Sequence, residues 1–361
     1  MDNGEDFLLL FRPEAFESEF SCWSELPIQM KITILEYLPY PTLRNFMFLS
    51  RECLALASKL KTEACSLMLQ KSCFQGGVLK ENALDVVVYY IPPDATSIPN
   101  THRPYRLTFV EDGEGGCVVK RLKGKRGRFT REGVKYSNET HSSAAIRAFF
   151  QLSKNLKAEE LSVELDSMDP ELERTLREQP TATSPPYKSF LIRTLERALP
   201  PLLLPHITPG CKLHVYNYPI QETEDIFINT SFFDTDVVRA APSFDTEAYT
   251  GVTDEQIPLL QARCLYMRAP YVSSCGINRV LLQWLEGKRI ISHITLIGTK
   301  ALNRDQLLEG VDPSKIQPWP EGPSRKEDDY RAKIRNDAGD LITIYVGSGY
   351  CELTDPLSDE A

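Results

Sequence analysis

From about residue 140 onward, an apolar stretch at helical spacing is followed by a short alternating run, and the pairing recurs along the chain. No other feature narrows the possible folds as much. Ile146, Phe149, Phe150 and Leu152 precede Leu161-Ser162-Val163-Glu164-Leu165. Phe190, Leu191, Leu195 and Leu199 precede Leu213-His214-Val215, and Ile277, Val280, Leu281 and Trp284 precede Ile294-Thr295-Leu296. Leu265-Tyr266-Met267 repeats the strand element, and Leu156-x4-Leu161-x-Val163 shares its wording with Leu260-x4-Leu265-x-Met267. Apolar residues recurring every three or four positions bury one stripe of a helix, and strict alternation buries one face of a strand.

Helix–strand units in series favour a parallel sheet with helices on one side. The self-similarity predicts an irregular leucine-rich-repeat-like arc, with spacing too uneven for a consensus solenoid. The expected class is α/β, turning α+β at the N-terminus. Residues 24 to about 72 read as short helices. Leu26-Pro27 opens the first, with proline where a missing N–H costs nothing, and Met30, Ile34 and Leu38 recur every four residues. Pro39-Tyr40-Pro41 separates it from a second helix through Leu43, Phe46, Met47 and Leu49. Ser50 caps a third carrying Leu54, Ala57, Leu60, Ala64 and Leu67. Such a unit is too small to bury all its apolar faces, which implies a partner.

Beyond Gly76-Gly77 the texture becomes extended. Val86 to Ile91 is a β-branched and aromatic run, and Tyr105–Val110 and Cys117–Leu122 flank a glycine-rich turn. The chain closes with a hairpin, Tyr330–Arg335 and Leu341–Val346 about Asn336-Asp337-Ala338-Gly339. The domain organisation expected is an N-terminal extension over 1–20, a helical unit over 21–72, a large domain over 80–353 and a tail over 354–361.

Composition mainly excludes. A net charge of −9 argues against a nucleic-acid binder. The sequence holds no apolar run of membrane-spanning length, and the acidic opening Met1–Asp6 is not that of a secretory signal, so a cytoplasmic or nuclear location is expected. The 9 cysteines include no C-x-x-C pair and the 5 histidines no H-x-x-x-H pair, so neither a zinc site nor a disulfide frame is expected. Gly113-Glu114-Gly115-Gly116 lacks a dinucleotide fingerprint, and Gly347-Ser348-Gly349 is not a nucleophile elbow. No catalytic residue, cofactor or metal is assigned. One basic segment, Lys120, Arg121, Lys123, Lys125, Arg126, Arg128 and Arg131, holds no acid. It reads either as an anion-binding or nuclear-import patch or as a solvated strand end and loop.

Trp23-Ser24-Glu25-Leu26-Pro27 through Ile34-Leu35-Glu36-Tyr37-Leu38, then Pro39, Leu43 and Ser50-Arg51-Glu52-Cys53, resembles an F-box. Arg44-Asn45-Phe46-Met47 looks like the wording of the large nematode-type family of F-box proteins. Asn278 to Gly287, and Ile334-Arg335-Asn336-Asp337-Ala338-Gly339-Asp340-Leu341-Ile342-Thr343-Ile344, are similar to segments of that family's F-box-associated domain.

The resemblance implies a non-catalytic substrate receptor of a Skp–cullin–F-box type ubiquitin ligase. The F-box would dock on a Skp-type linker, and through it on cullin and a RING protein, while the C-terminal domain holds an unknown protein target. Leu26, Pro27, Ile34, Leu35, Leu38, Leu43 and Leu49 are the docking candidates, with internal packing as the competing role. Two alternatives are a Skp-binding scaffold without cullin and an anion- or nucleic-acid-binding protein that uses residues 120–131.

Target contacts are expected on the strand side of the arc, since concave faces of such arcs are their usual binding surfaces. Alternation leaves Ser162 and Glu164 open beside Leu161, Val163 and Leu165. By the same rule His214, Tyr216 and Tyr266 face outward as the expected target contacts.

Overall fold

The computed structural model describes residues 23, 25–38, 42–43, 46, 51–57, 59–73, 79–90, 103–113, 115–123, 128–129, 134–136, 139–179, 187–217, 225–319 and 330–356. These form a mixed α/β protein in which strands dominate. The chain divides into two compact units, Met1–Lys188 and Ser189–Ala361.

The first unit begins with helices α1 (Ile28–Glu36) and α2 (Arg51–Ala57). Leu35, Leu43, Phe46, Cys53, Leu56 and Ala57 form a small core of their own, with Trp23, Ile32, Leu38 and Leu60 packed around it. Trp23 meets Phe46 edge-on, with centroids 4.9 Å apart. Lys31 is buried among these side chains. Its Nζ lies 5.5 Å over the Trp23 ring and donates to Glu52 Oε1 at 2.6 Å. Leu49 and the basic positions Lys125, Arg126 and Arg131 lie outside the described residues.

The third helix stops at Ala57, and Ala64 and Leu67, expected to continue it, instead lie in strand β1 (Thr62–Cys73). Leu67 and Leu69 are both buried, a strand's alternation that the helical spacing of Leu60, Ala64 and Leu67 conceals. Position in the sheet decides the matter, because β1 is hydrogen-bonded on both edges. Strands β2 (Leu79–Tyr90), β3 (Arg103–Asp112) and β4 (Gly116–Lys123) follow β1 as an antiparallel meander. β4 also pairs with β5 (Arg128–Phe129) and β6 (Val134–Tyr136). Of the long basic segment, Lys120, Arg121 and Lys123 therefore lie in β4 and Arg128 in β5.

Helix α3 (His141–Asn155) is capped by Thr140, whose hydroxyl accepts from the Ser143 N–H at 3.2 Å. Small Ala144, Ala145 and Ala148 let it lie close to the sheet, with Ile146, Phe149 and Leu152 as its large buried side chains. It leads into β7 (Leu156–Leu165), which joins β1 in parallel. Helix α4 (Pro170–Glu178) starts with proline after an Asp169 cap, as preorganised helix starts do.

In the second unit, β8 (Ser189–Thr194), β9 (Lys212–Tyr216), β10 (Ser243–Tyr249), β11 (Cys264–Arg268) and β12 (His293–Ile297) lie side by side, parallel and in chain order. Phe190 and Leu191, expected in a helix, belong to β8; the helix is the short α5 (Leu199–Leu203), followed after β9 by α6 (Asp236–Arg239). Helix α7 (Ser274–Leu285) returns the chain to β12, as its apolar stripe predicts, and α8 (Arg304–Leu307) follows. β16 (Tyr350–Thr354) then adds antiparallel to β12, with β15 (Leu341–Gly347), β14 (Tyr330–Arg335) and β13 (Ile316–Pro318) beyond it.

The terminal hairpin forms where the sequence places it. Gly339 takes φ 91° in its turn, and Asn336 Oδ1 accepts from the Asp340 N–H at 2.8 Å. Phe190, Phe232, Phe233, Phe244, Leu281 and Ile344 are among the side chains that fill the core of this unit. The two stretches that share the Leu-x4-Leu wording take different local structures. Leu156 begins β7, whereas Leu260 precedes β11 at the end of a 3-10 turn.

Candidate functional site

Two surfaces carry side chains that the packing does not use. The first is on α1. Lys31 and Leu35 face the small core, with Leu38 beside it, and this leaves a second stripe outside. Met30, Ile34 and Tyr37 recur at helical spacing and are 53%, 43% and 84% exposed, with Ile28 at 57% alongside. Of the docking candidates, Ile34 and Pro27 are exposed and Leu26 and Leu38 half-buried, whereas Leu35 and Leu43 are enclosed at 0% and 5%. A partner cannot reach those two without opening the helical cluster. Ile28, Met30 and Tyr37 were not among the candidates. Sorting the first helix into two stripes would have found them.

The second surface is the side of the β8–β12 sheet opposite its core. In β9, Leu213 and Val215 are fully buried, so His214 and Tyr216 point the other way. In β11, Leu265 and Met267 are buried and Tyr266 is half-exposed. All three predicted contacts therefore share one face. Ser162 behaves otherwise. It is expected to be open, but it is 0% exposed, while Glu164 is half-buried.

Alternation adds members to this face that the sequence reading missed. Phe244, Thr246 and Ala248 of β10 point inward, leaving Asp245 and Glu247 outside. Cys351 and Leu353 of β16 point inward, leaving Tyr350, Glu352 and Thr354 outside. An inward threonine in β10 and a charge at every second position blur the apolar signal by which a strand is recognised.

Polar contacts fix these side chains. The Tyr216 hydroxyl donates to Asp245 Oδ2 at 2.5 Å, and His214 Nδ1 lies 3.5 Å from the same oxygen. The His214 and Tyr216 rings stack at 6.4 Å. Burial pushes the Asp245 carboxyl up, but hydrogen bonds from His214 and Tyr216 outweigh it and hold the group below the usual carboxylate range. The Tyr216 phenol is raised, by burial first and then by its bond to Asp245.

A matching arrangement surrounds Glu352. Tyr350 donates to Oε2 at 2.8 Å and Thr354 to Oε1 at 3.2 Å, and His293 Nδ1 lies 4.0 Å from Oε1. The Tyr350 phenol is raised to about 12, by burial and then by Glu352. At the hairpin end, Arg331 lies 4.5 Å over the Tyr345 ring and Lys333 Nζ lies 5.0 Å over Trp319, which is 38% exposed. This face presents fixed carboxylates, ring edges and stacked cations.

Among the described residues, no group of three or more His, Cys, Asp or Glu is placed to hold a metal ion. No helix among them is long and apolar enough to cross a membrane. The basic segment splits. Lys120, Arg121 and Lys123 lie in β4 and Arg128 in β5, and Lys120 is half-buried. No protein-family model, no curated protein and no solved structure matches the chain.

Proposed function

We propose that this chain is a non-catalytic adaptor with one surface for a ligase and another for a target. More particularly, we read it as an F-box protein of the nematode-type family. Its N-terminal helices would dock on a Skp-type linker, and its second unit would present a target for ubiquitination. The reading takes β8–β12 as an irregular leucine-rich-repeat-like series, with the strand face as the recognition surface.

The observation that carries the proposal is the outward apolar stripe Met30, Ile34 and Tyr37, left over after α1 has closed its own core. Exposed apolar side chains in a contiguous row mark a protein contact. Proximity supplies the function. Holding a target beside a charged conjugating enzyme raises the effective concentration of its lysines, and the chemistry proceeds elsewhere.

The test is capture of a Skp-type linker and cullin by the intact chain and by the Met30→Asp/Ile34→Asp double variant. Interface anchors typically contribute about 2 kcal/mol or more each, so the variant should lose at least tenfold in linker affinity with its thermal stability unchanged. Equal capture by both chains would refute the docking role of α1. Linker binding without cullin would point to the scaffold alternative.

A further inference from the structure

Asp245 and Glu352 belong to one cross-strand row. Asp245 is in register with Tyr266, Tyr266 with Thr295, and Thr295 with Glu352. Hydrogen-bonded strands lie about 4.8 Å apart, so three steps separate the two carboxylates by about 14 Å. Their side chains are 34% and 30% exposed. Among the described residues neither forms an ion pair with lysine or arginine; their partners are tyrosine, threonine and histidine. The nearby cations of the hairpin, Arg331 and Lys333, lie over aromatic rings instead. Arg193 stands outward in register with Tyr216, and Arg268, on the Tyr266 strand, lies 5.1 Å over the Tyr249 ring. The result is two fixed, half-desolvated anions with no lysine or arginine bonded to them, with Tyr266 between them.

We infer that this face binds an extended basic segment of the target through two lysine or arginine side chains four residues apart. This rests on reading the strand face as the target-binding surface. An extended chain advances about 3.4 Å per residue and points residues i, i+2 and i+4 to one side, so i and i+4 are about 14 Å apart on the correct face. A helix would need about nine residues at 1.5 Å each to span the distance, which turns the second side chain about half a revolution away. Residue i+2 of the extended segment falls over Tyr266, beside Thr295, which is itself buried and bonded to His293. Partly buried carboxylates favour a cation there, since Coulomb attraction strengthens as the effective dielectric falls.

The test uses the full chain and fluorescein-labelled ten-residue Gly/Ser peptides carrying two arginines at i,i+4, two at i,i+3, or two glutamates at i,i+4. Fluorescence anisotropy should show the i,i+4 arginine peptide binding at least fivefold more tightly than the i,i+3 peptide, and the glutamate peptide not at all. Asp245→Asn and Glu352→Gln, which keep shape and most hydrogen bonding, should each weaken the i,i+4 peptide at least fivefold, and the double variant should erase the spacing preference. No binding of the i,i+4 peptide at millimolar concentration, indifference to spacing, or unchanged affinity in folded variants overturns the inference. A separate arm compares targets captured by the Asp245→Asn/Glu352→Gln and Tyr216→Ala/Tyr266→Ala variants. Targets retained by the first and lost by the second would keep the face as the target surface and sink the basic-segment assignment alone.

Discussion

Gly276 shows how tightly single positions are set. It lies in the first turn of α7, where a Cβ would meet the Asp254 carboxylate and lie 3.0 Å from the Asp254 Cα. That carboxylate cannot swing aside cheaply, because it accepts from the Ser273 N–H at 2.7 Å and from the Ser273 hydroxyl at 2.6 Å. Alanine in a helix ordinarily gains about 1 kcal/mol over glycine, but overpacking costs about 1–3 kcal/mol. Gly276→Ala should therefore lower the melting temperature in calorimetry, and a rise would mean that Asp254 moves freely. The cysteines divide in the same residue-by-residue way. Cys117, Cys211 and Cys351 are buried, and burial pushes each thiol up to about 12, whereas Cys264 and Cys275 are exposed. Because the thiolate is the nucleophile, alkylation of the native protein at pH 8 should mark Cys264 and Cys275 ahead of Cys117, Cys211 and Cys351 by mass spectrometry. Early labelling of Cys351 would contradict the packing of β16.

Helix α1 separates two roles by face. Leu35 fills the small core at 0% exposure, and its immediate neighbour Ile34 stands outside at 43%. Leu35→Ala should cost about 2–5 kcal/mol, the range for emptying a buried leucine site, and should speed proteolysis of residues 23–60. Ile34→Ala should leave that protection unchanged. Equivalent effects at both positions would mean that the helix is rotated from the orientation described. The first helix and its apolar residues were legible from spacing, but which residues closed the core was not. Lys31 takes a core position because its ammonium lies over the Trp23 ring and Glu52 meets its charge. β1 misled for a related reason. Leu60, Ala64 and Leu67 satisfy a helical period over a short window, and only pairing with β2 and β7 imposes the period of two.

At the scale of the whole molecule, the apolar stripe on α1 predicts behaviour in solution. If α1 docks as proposed, co-expression with a Skp-type linker should raise the soluble yield of the intact chain severalfold, because association would remove that stripe from water at about 25 cal/mol per Å². The Met30→Asp/Ile34→Asp variant should be soluble without the linker. A linker-independent yield for the unaltered chain would count against the adaptor reading.

The amino-acid sequence by itself determined the elements whose signals are local. These are α3 with β7, α7 with β12, the β3–β4 hairpin, the terminal hairpin with its Asn336–Gly339 turn, and the outward setting of His214, Tyr216 and Tyr266. Apolar period, capping residues and turn glycines act over a few residues and survive in any surroundings. Tertiary structure alone decided the strand character of residues 62–73 and 189–194, the burial of Ser162, and the alignment of Asp245, Tyr266, Thr295 and Glu352 in one row. Each depends on which strand lies alongside. Inter-strand hydrogen bonds join residues as far apart in sequence as Thr295 and Glu352, and alternation within a strand fixes its inward face without naming the strand that lies beside it.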